Sequence, residues 1–364
     1  MNRYDVIVAG VGAMGSAASW RLAKQGKKVL GIDQYTLGHN LGSSHGETRL
    51  IRKAYFEHPD YVPLLEKSYS LWRELESESG ETLFHQTGLV IAGHQQSKVL
   101  AGVQTASRKY SIPTEHWERN QIAAKLPGFS IPLGIEGIWE ETGGYLEVEK
   151  AVCTFGNSAK RLGAQFNWNE KVLSCREIEG GVEVVTTRGR YEADKLLLTL
   201  GPWSKSILRD FPLKVHRVPL FWFDAKDMKD FPCYAFDLPE GFYYGFPALD
   251  GKIKVALHKP LSEIQSPDGV DRTVSAEEGS QVRAFVRRFL PGLNPEPVDQ
   301  SLCFYTMTPD ENFILDSIPG SNRIYTACGL SGHGFKFSPV IGEVLADLVS
   351  QGETELPIQF LRRR

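Results

Sequence analysis

One stretch constrains this chain more than any other: Tyr4-Asp5-Val6-Ile7-Val8-Ala9-Gly10-Val11-Gly12-Ala13-Met14-Gly15. An apolar, β-type run leads directly into glycines spaced G-x-G-x-x-G. The residues that follow, Ser16 to Gln25, predict a helix with Ala17, Ala18 and Leu22 on one face, and Gly26 stops it. A second apolar run, Lys28 to Ile32, ends on Asp33, 18 positions after Gly15 (33 − 15). Strand, glycine turn, helix and strand, closed by an acid, read as a dinucleotide-binding unit. Gly10 permits the tight turn, Gly12 lets the backbone approach a pyrophosphate, and Gly15 lets helix and strand pack closely. The pyrophosphate would rest on the unpaired N–H groups and positive dipole end of the helix, with Asp33 accepting from a ribose hydroxyl. The motif alone does not separate a nicotinamide from a flavin dinucleotide.

With 364 residues, 41% of them apolar and 23% charged, the chain has material for two domains or for one large domain with insertions. A net charge of -3 gives no electrostatic reason to bind nucleic acid or an anionic membrane. Apolar runs reach only about six to nine residues where roughly 20 are needed to span a bilayer. Asp5 interrupts the first of them, which argues against a secretory signal. The cysteines, Cys153, Cys175, Cys233, Cys303 and Cys328, are odd in number and none are spaced C-x-x-C. They predict no disulfide framework and fit a reducing cytoplasm. No His/Cys cluster has metal-ligand spacing, so no metal is expected.

Beyond the dinucleotide unit comes a polar loop, Gly38 to Gly46, then Glu47 to Arg52. Tyr61 to Leu75 reads as a helix with Leu65, Tyr69 and Trp72 on one side, Gly88 to Ala92 as a strand, and residues 96 to 126 as two short helices. A helix is predicted from Tyr145 to about Leu162. A hairpin-like pair follows over 181–187 and 189–193, and then a separate buried strand from Asp194 to Leu200. Residues 213–258, rich in aromatic and β-branched side chains, read as an antiparallel sheet with turns at Pro239-Glu240-Gly241 and Leu249-Asp250-Gly251. A helix over 276–290, a strand over Arg323 to Ala327, a glycine-rich loop and a last helix complete the chain. Parallel pieces at both ends and in the middle, with antiparallel pieces between, suggest a discontinuous α/β nucleotide domain carrying an inserted sheet-rich substrate domain.

Several segments carry chemistry. In Gly329-Leu330-Ser331-Gly332-His333-Gly334-Phe335-Lys336-Phe337 the glycines, Gly332 and Gly334 among them, bring backbone N–H groups to a ligand. The helix end and Lys336 favour negative charge there, which suits the N1/C2-oxygen edge of a reduced flavin. In His45-Gly46-Glu47-Thr48-Arg49-Leu50-Ile51-Arg52, two arginines three apart face one cavity if the segment is helical or tightly turned. Otherwise they form a solvated basic face. Tyr243-Tyr244-Gly245-Phe246-Pro247 pairs across a turn with Lys252 to His258, which puts Lys254, Ala256 and His258 on one face of a strand, either lining a pocket or facing solvent. Cys303, in the apolar run Leu302 to Met307, reads locally as a small buried hydrophobe.

Taken with Tyr61-Val62-Pro63-Leu64, Cys303-x-Tyr305-Thr306 and Asp310-Glu311-x-Phe313-Ile314-x-Asp316, these segments resemble the monomeric sarcosine oxidase and N-methyltryptophan oxidase family of flavoenzymes, in the right order and over nearly the whole chain. The resemblance implies a glutathione-reductase-type, D-amino acid oxidase-like fold. Residues 1–82, 145–212 and 308–364 would form a Rossmann-like FAD-binding domain, and 83–144 and 213–307 an antiparallel-sheet substrate domain. It implies FAD joined through a thioether at Cys303. The substrate carboxylate is expected at Arg52 and Lys336, with Tyr244 and His258 on the substrate side of the ring. Arg49 and Lys254 are expected near the flavin, the lysine in oxygen reduction, and His45, Thr48 and Tyr305 in its neighbourhood. The expected reaction oxidises a secondary N-methyl amino acid to an imine, which hydrolyses to amino acid and aldehyde while O2 becomes H2O2. A monomer that meets only its small-molecule substrate and O2 is the corresponding expectation. A relative acting on a cyclic imino acid or glycated amino acid is the runner-up, and a non-catalytic flavin-binding protein the alternative of another class. Ser44 stands where some members have a second histidine, and Glu47 where Asp is common.

Overall fold

The computed structural model describes residues 3–363. Strand Tyr4–Ala9 pairs in parallel with Val29–Ile32 on one side and with Arg190–Leu198 on the other. A strand with parallel neighbours on both sides is covered on both faces, and this explains the uninterrupted apolar run from Val6 to Ala9, all of it buried. The sheet has eight strands. Gln165–Asn167 lies outside Val29–Ile32, and Val172–Ile178 and Gly181–Thr186 lie beyond Arg190–Leu198. Ile324–Cys328 also joins Arg190–Leu198 in parallel, with Ile314–Ser317 beside it. Helices Ala13–Lys24, Val148–Arg161 and Ser338–Gln351 pack on one another against this sheet.

A second sheet of nine strands is mostly antiparallel. Its centre is Lys214–Asp224, Lys252–Leu257, Gly241–Gly245 and Cys233–Leu238, continued by Leu89–His94, Ile135–Glu140 and Glu115–Trp117. Asp299–Met307 runs along Lys214–Asp224 with Val218 opposite Cys303 and His216 opposite Tyr305. Helix Ser280–Phe289 covers one face, burying Phe285 and Phe289 against Phe236 and Tyr243. The small third sheet, Thr48–Ile51, Gly144–Glu147 and Phe84–His85, lies between the two in sequence and carries the arginine segment.

Four local readings differ from this architecture. The arginine segment is a strand, neither helix nor exposed loop, because Thr48–Ile51 finds a ladder partner nearly a hundred residues away in sequence. Tyr145-Leu146-Glu147 belongs to that partner strand, so the helix starts at Val148 with Glu147 as its cap. The second hairpin arm and the buried strand after it are one nine-residue strand, Arg190–Leu198, whose first half pairs with Gly181–Thr186 and second half with Tyr4–Ala9. Val172–Ile178 had no apolar alternation to announce it, because most of its side chains are exposed. Among the described residues no helix is long and apolar enough to cross a membrane, and all five cysteines are free.

Candidate active site

The glycine turn closes tightly. Gly10 has φ +88°, and a Cβ on Gly15 would lie 1.9 Å from the Gly10 carbonyl oxygen, so no side chain fits at this helix–strand contact. Gly12 caps helix Ala13–Lys24 with no side chain of its own, and no acid occupies the first turn. The helix therefore presents its positive end to the long cavity that begins at Gly10 and Gly12. Asp33 lines the same cavity. Its carboxylate accepts from the N–H groups of Val11 (2.6 Å) and Tyr35 (2.9 Å), which ties the turn to the second strand, while burial raises its pKa. Ser44 Oγ accepts from Ala13 N–H at 3.2 Å, giving the position a place at the helix end. The cavity continues along Phe304, Tyr305 and Thr306 to Gly332, Gly334 and Phe335. A helix N-terminus capped only by glycine and free of acids at one extremity, glycine backbone along the wall and a length spanning both sheets suit a flavin dinucleotide.

At its far end the cavity adjoins a second, smaller one of about 50 Å³, and Arg49, Gly332 and Phe335 line both. Gly332 (φ +81°) is required there, since a Cβ would fall 2.3 Å from the Tyr305 ring. Arg49 Nη2 is 3.6 Å from Cys303 Sγ and 3.2 Å from the Ser43 carbonyl. Cys303 is buried just behind the wall that Phe304 continues. Lys254 donates to the carbonyls of Gly46 (2.5 Å) and Thr48 (2.8 Å), so it pins the turn before Arg49. Desolvation, and then Arg49, hold its pKa well below the usual lysine value. Glu149, in the first turn of helix Val148–Arg161, accepts from the N–H groups of Gly46 (2.6 Å) and Glu47 (3.0 Å). Glu47 adopts φ +66° and accepts from Trp222 Nε1 at 2.7 Å. His45 is buried, its Nε2 has no partner among the described residues, and burial pushes its pKa down to about 3.

The smaller cavity gathers Arg52, Tyr244, His258 and Lys336. Arg52 stands over the Tyr55 and Phe56 rings at 4.6 and 4.5 Å, and its Nη2 donates to Glu57 at 2.7 and 2.8 Å. The Arg52 guanidinium in turn holds the Glu57 carboxyl down at about 2, against burial. Glu140 accepts from the N–H groups of Lys53 (2.7 Å) and Ala54 (2.9 Å) and so fixes the turn that follows Arg52. Lys336 is anchored by its carbonyl, which accepts from Ser68 Oγ and Trp72 Nε1 on helix Val62–Ser79. Its Nζ donates to the His333 carbonyl at 2.7 Å and reaches Tyr55 Oη at 3.4 Å. Burial, reinforced by Arg52, brings its pKa down to about 7. His333, pushed down to about 3, is neutral. Its Nε2 faces the Glu311 carbonyl at 3.0 Å and must carry the proton, so Nδ1 accepts from Tyr55 Oη at 2.6 Å. His258, lowered to about 4 by burial, is neutral too and meets Tyr305 Oη at 3.0 Å.

Of the residues singled out from sequence, Gly10, Gly12, Asp33, Arg49, Arg52, Tyr244, His258, Tyr305, Gly332, Gly334 and Lys336 line one cavity or the other, whereas Gly15, His45, Thr48, Lys254 and Cys303 line neither. Glu57, Tyr55, His333 and Glu140 were given no role in that reading. Glu57 and Tyr55 had a signal in their position just after Arg52, and His333 in its place within the glycine loop. Glu140 had none, being fixed only by the fold.

A parallel dinucleotide-type sheet joined to an antiparallel sheet, with cations gathered in a small cavity where they meet, defines a flavin-dependent oxidoreductase. Residues 5–348 match the FAD dependent oxidoreductase (DAO) model, and the chain belongs to that family. It is 37% identical over 372 residues to monomeric sarcosine oxidase of Bacillus sp. (strain B-0618), covering 99% of this chain and 95% of that protein. It is also 37% identical over 353 residues to N-methyl-L-tryptophan oxidase of Yersinia pestis (strain Pestoides F), covering 94% of each. In fold it matches the open form of NikD, an amino acid oxidase of nikkomycin biosynthesis, with TM-score 0.90 at 24% identity over 100% of this chain and 98% of that one. It matches L-proline dehydrogenase of P. horikoshii with TM-score 0.88 at 23% identity over 99% and 97%.

Proposed function

We propose that this chain oxidises a secondary N-methyl amino acid, with FAD held covalently at Cys303 and O2 as acceptor. The observation that carries the reading is the convergence of Arg52 and Lys336 on a small cavity that shares the Arg49–Gly332 wall with the dinucleotide cavity. Buried cations call for an anion. Glu57 meets Arg52 in the free protein, and a substrate carboxylate would take its place while engaging Lys336. Arg49, Arg52 and Lys336 together disfavour an ammonium group in the same cavity, so the substrate amine is held in its neutral, oxidisable form. Neutral His258 and Tyr244 line that cavity without adding charge. FAD, when bound, supplies a two-electron acceptor that dioxygen reoxidises with release of H2O2. Hydrolysis of the imine product gives amino acid and aldehyde.

Cys303 is the attachment point in this reading, supported by its sulfur lying beside Arg49. Lys254, buried beside Arg49 and Thr48, is read as the group that offsets charge developing on oxygen. Gly10, Gly12, Gly15, Asp33, Gly332 and Gly334 would hold the dinucleotide. We also infer that residues 1–82, 145–212 and 308–364 form the FAD domain and 83–144 and 213–307 the substrate domain, with strand Phe84–His85 crossing back to pair with Gly144–Glu147. Free cysteines support a reducing cytoplasm as the place of action, and a monomer is the working state.

Anaerobic mixing with a panel of N-methyl amino acids tests the reading. Flavin absorbance should bleach with at least one, and admitting air should restore it with one equivalent of H2O2. Bleaching only by a cyclic imino acid or a glycated amino acid would replace the substrate assignment, and bleaching by none would remove it.

A further inference from the structure

A water molecule needs roughly 10–15 Å³ of cavity, so the substrate cavity of about 50 Å³ has room for about three to five water-sized groups. N-methylglycine, with about six non-hydrogen atoms, is close to that scale, and an N-methyl amino acid that also carries an indole, with about sixteen, is far beyond it.

Two rings set this limit. Arg49, Gly332 and Phe335 form the wall shared with the flavin cavity, whereas Phe56 and Phe242 belong to the wall that is not shared. Their centroids are 5.4 Å apart at 54°, and both are half-buried, while Arg52, Tyr244 and Lys336 behind them are buried. Both rings are carried on backbone that is held in place. Phe56 backs onto Gly102 of helix Lys98–Tyr110 so closely that an added Cβ there would lie 2.9 Å from Phe56 Cβ and 3.1 Å from its Cα. Phe242 is fixed in strand Gly241–Gly245, edge-on to His258 at 6.4 Å. The Arg52 guanidinium lies 4.5 Å above the Phe56 ring. The group that takes the carboxylate therefore rests on one of the rings that bound the space for the side chain.

We propose that Phe56 and Phe242 act as a size filter that confines the enzyme to small N-alkyl amino acids and shuts out bulky ones. The proposal rests on the reading of this cavity as the site of amine oxidation, and the test separates the two. The holoenzyme and its Phe242→Ala, Phe242→Leu and Phe56→Leu variants are assayed for kcat/KM with sarcosine and with N-methyltryptophan. Wild type should prefer sarcosine by more than about a hundredfold. Phe242→Ala should shift the ratio toward the indole substrate by at least about tenfold, with the leucine variants moving less in the same direction. A wild type that favours the indole substrate, or well-folded variants whose ratio stays within about twofold of it, overturns the filter. In parallel, propionate and indole-3-acetate are titrated against each holoenzyme by flavin absorbance. If propionate alone binds wild type and Phe242→Ala admits both, while no N-methyl amino acid reduces the flavin, the filter stands and the amine-oxidation reading falls. Equal binding of both carboxylates to wild type overturns the filter whatever the variants do.

Discussion

If Arg52 and Lys336 hold the substrate carboxylate as proposed, binding should titrate near neutrality. Lys336 is 5% exposed, and burial beside Arg52 lowers its pKa from 10.5 to about 7. Tyr55, 3.4 Å away, is held well above the usual tyrosine range by burial, and Arg52 and Arg49 stay charged; the other titratable groups that face it are Glu57, His333 and His258, at about 2, 3 and 4. Between about pH 6 and pH 9, Lys336 is therefore the one of these groups that changes charge. The free site carries an ammonium below about pH 7 and a neutral amine above it. A bound carboxylate favours the ammonium and pulls the pKa back toward 10.5, so binding above pH 7 takes up a proton. The dissociation constant of a simple carboxylate should be flat below about pH 7 and then weaken by up to about tenfold per pH unit. Propionate carries no titrating amine to confuse the profile, and its binding can be followed as a flavin absorbance change in the holoenzyme. Lys336→Met should abolish the slope. It should also weaken binding at pH 6 by about ten- to a hundredfold, the equivalent of one charge-assisted hydrogen bond of roughly 1.5–3 kcal/mol. A wild-type constant unchanged from pH 6 to pH 9, or a slope that survives in Lys336→Met, refutes the argument.

Other outcomes follow from the same geometry. Acid precipitation of the wild-type holoenzyme should carry the flavin into the pellet, and Cys303→Ala should release it to the supernatant; freely extractable wild-type flavin removes the thioether. Lys254→Met should leave anaerobic flavin reduction little changed but slow reoxidation by about 10²–10³, as read from stopped-flow traces of the two half-reactions. A slowed reduction with normal reoxidation would move Lys254 to substrate binding. The same variant removes one of two donors from each of the Gly46 and Thr48 carbonyls, which keep the Thr48 N–H (2.8 Å) and Arg49 Nη1 (2.9 Å); it should cost about 0.5–1.5 kcal/mol for each lost bond, visible in the denaturation midpoint. Gly332→Ala places a methyl group 2.3 Å from the Tyr305 ring at φ +81°. It should cost about 1–3 kcal/mol by overpacking and lower flavin content; an unchanged thermal midpoint and full flavin loading would contradict it.

The dinucleotide unit was fully legible in the residues from Tyr4 to Asp33. Its signals are local: a buried strand needs an apolar run, Gly10 and Gly15 are the only residue type their positions admit, and the second strand ends on its acid. The cations of the site were also visible, since Arg49, Arg52, Lys254 and Lys336 stand in motifs of fixed composition. What those motifs could not contain is who meets whom. Arg49 reaches Cys303 across 254 positions, and Lys254 reaches Gly46 across 208, because the fold sets the arginine strand and the turn before it beside the nine-stranded sheet. The arginine segment became a strand through a pairing equally remote in sequence. Its partner, Gly144–Glu147, lies far along the chain and overrides whatever conformation the segment prefers alone. The internal Arg52–Glu57 pair, the lowered pKa of Lys336 and the Phe56–Phe242 wall exist only once burial removes water from around them. Sequence determined the residue types and the local backbone; desolvation and long-range pairing, which belong to the folded chain alone, decided their charges, their partners and the room left for a substrate.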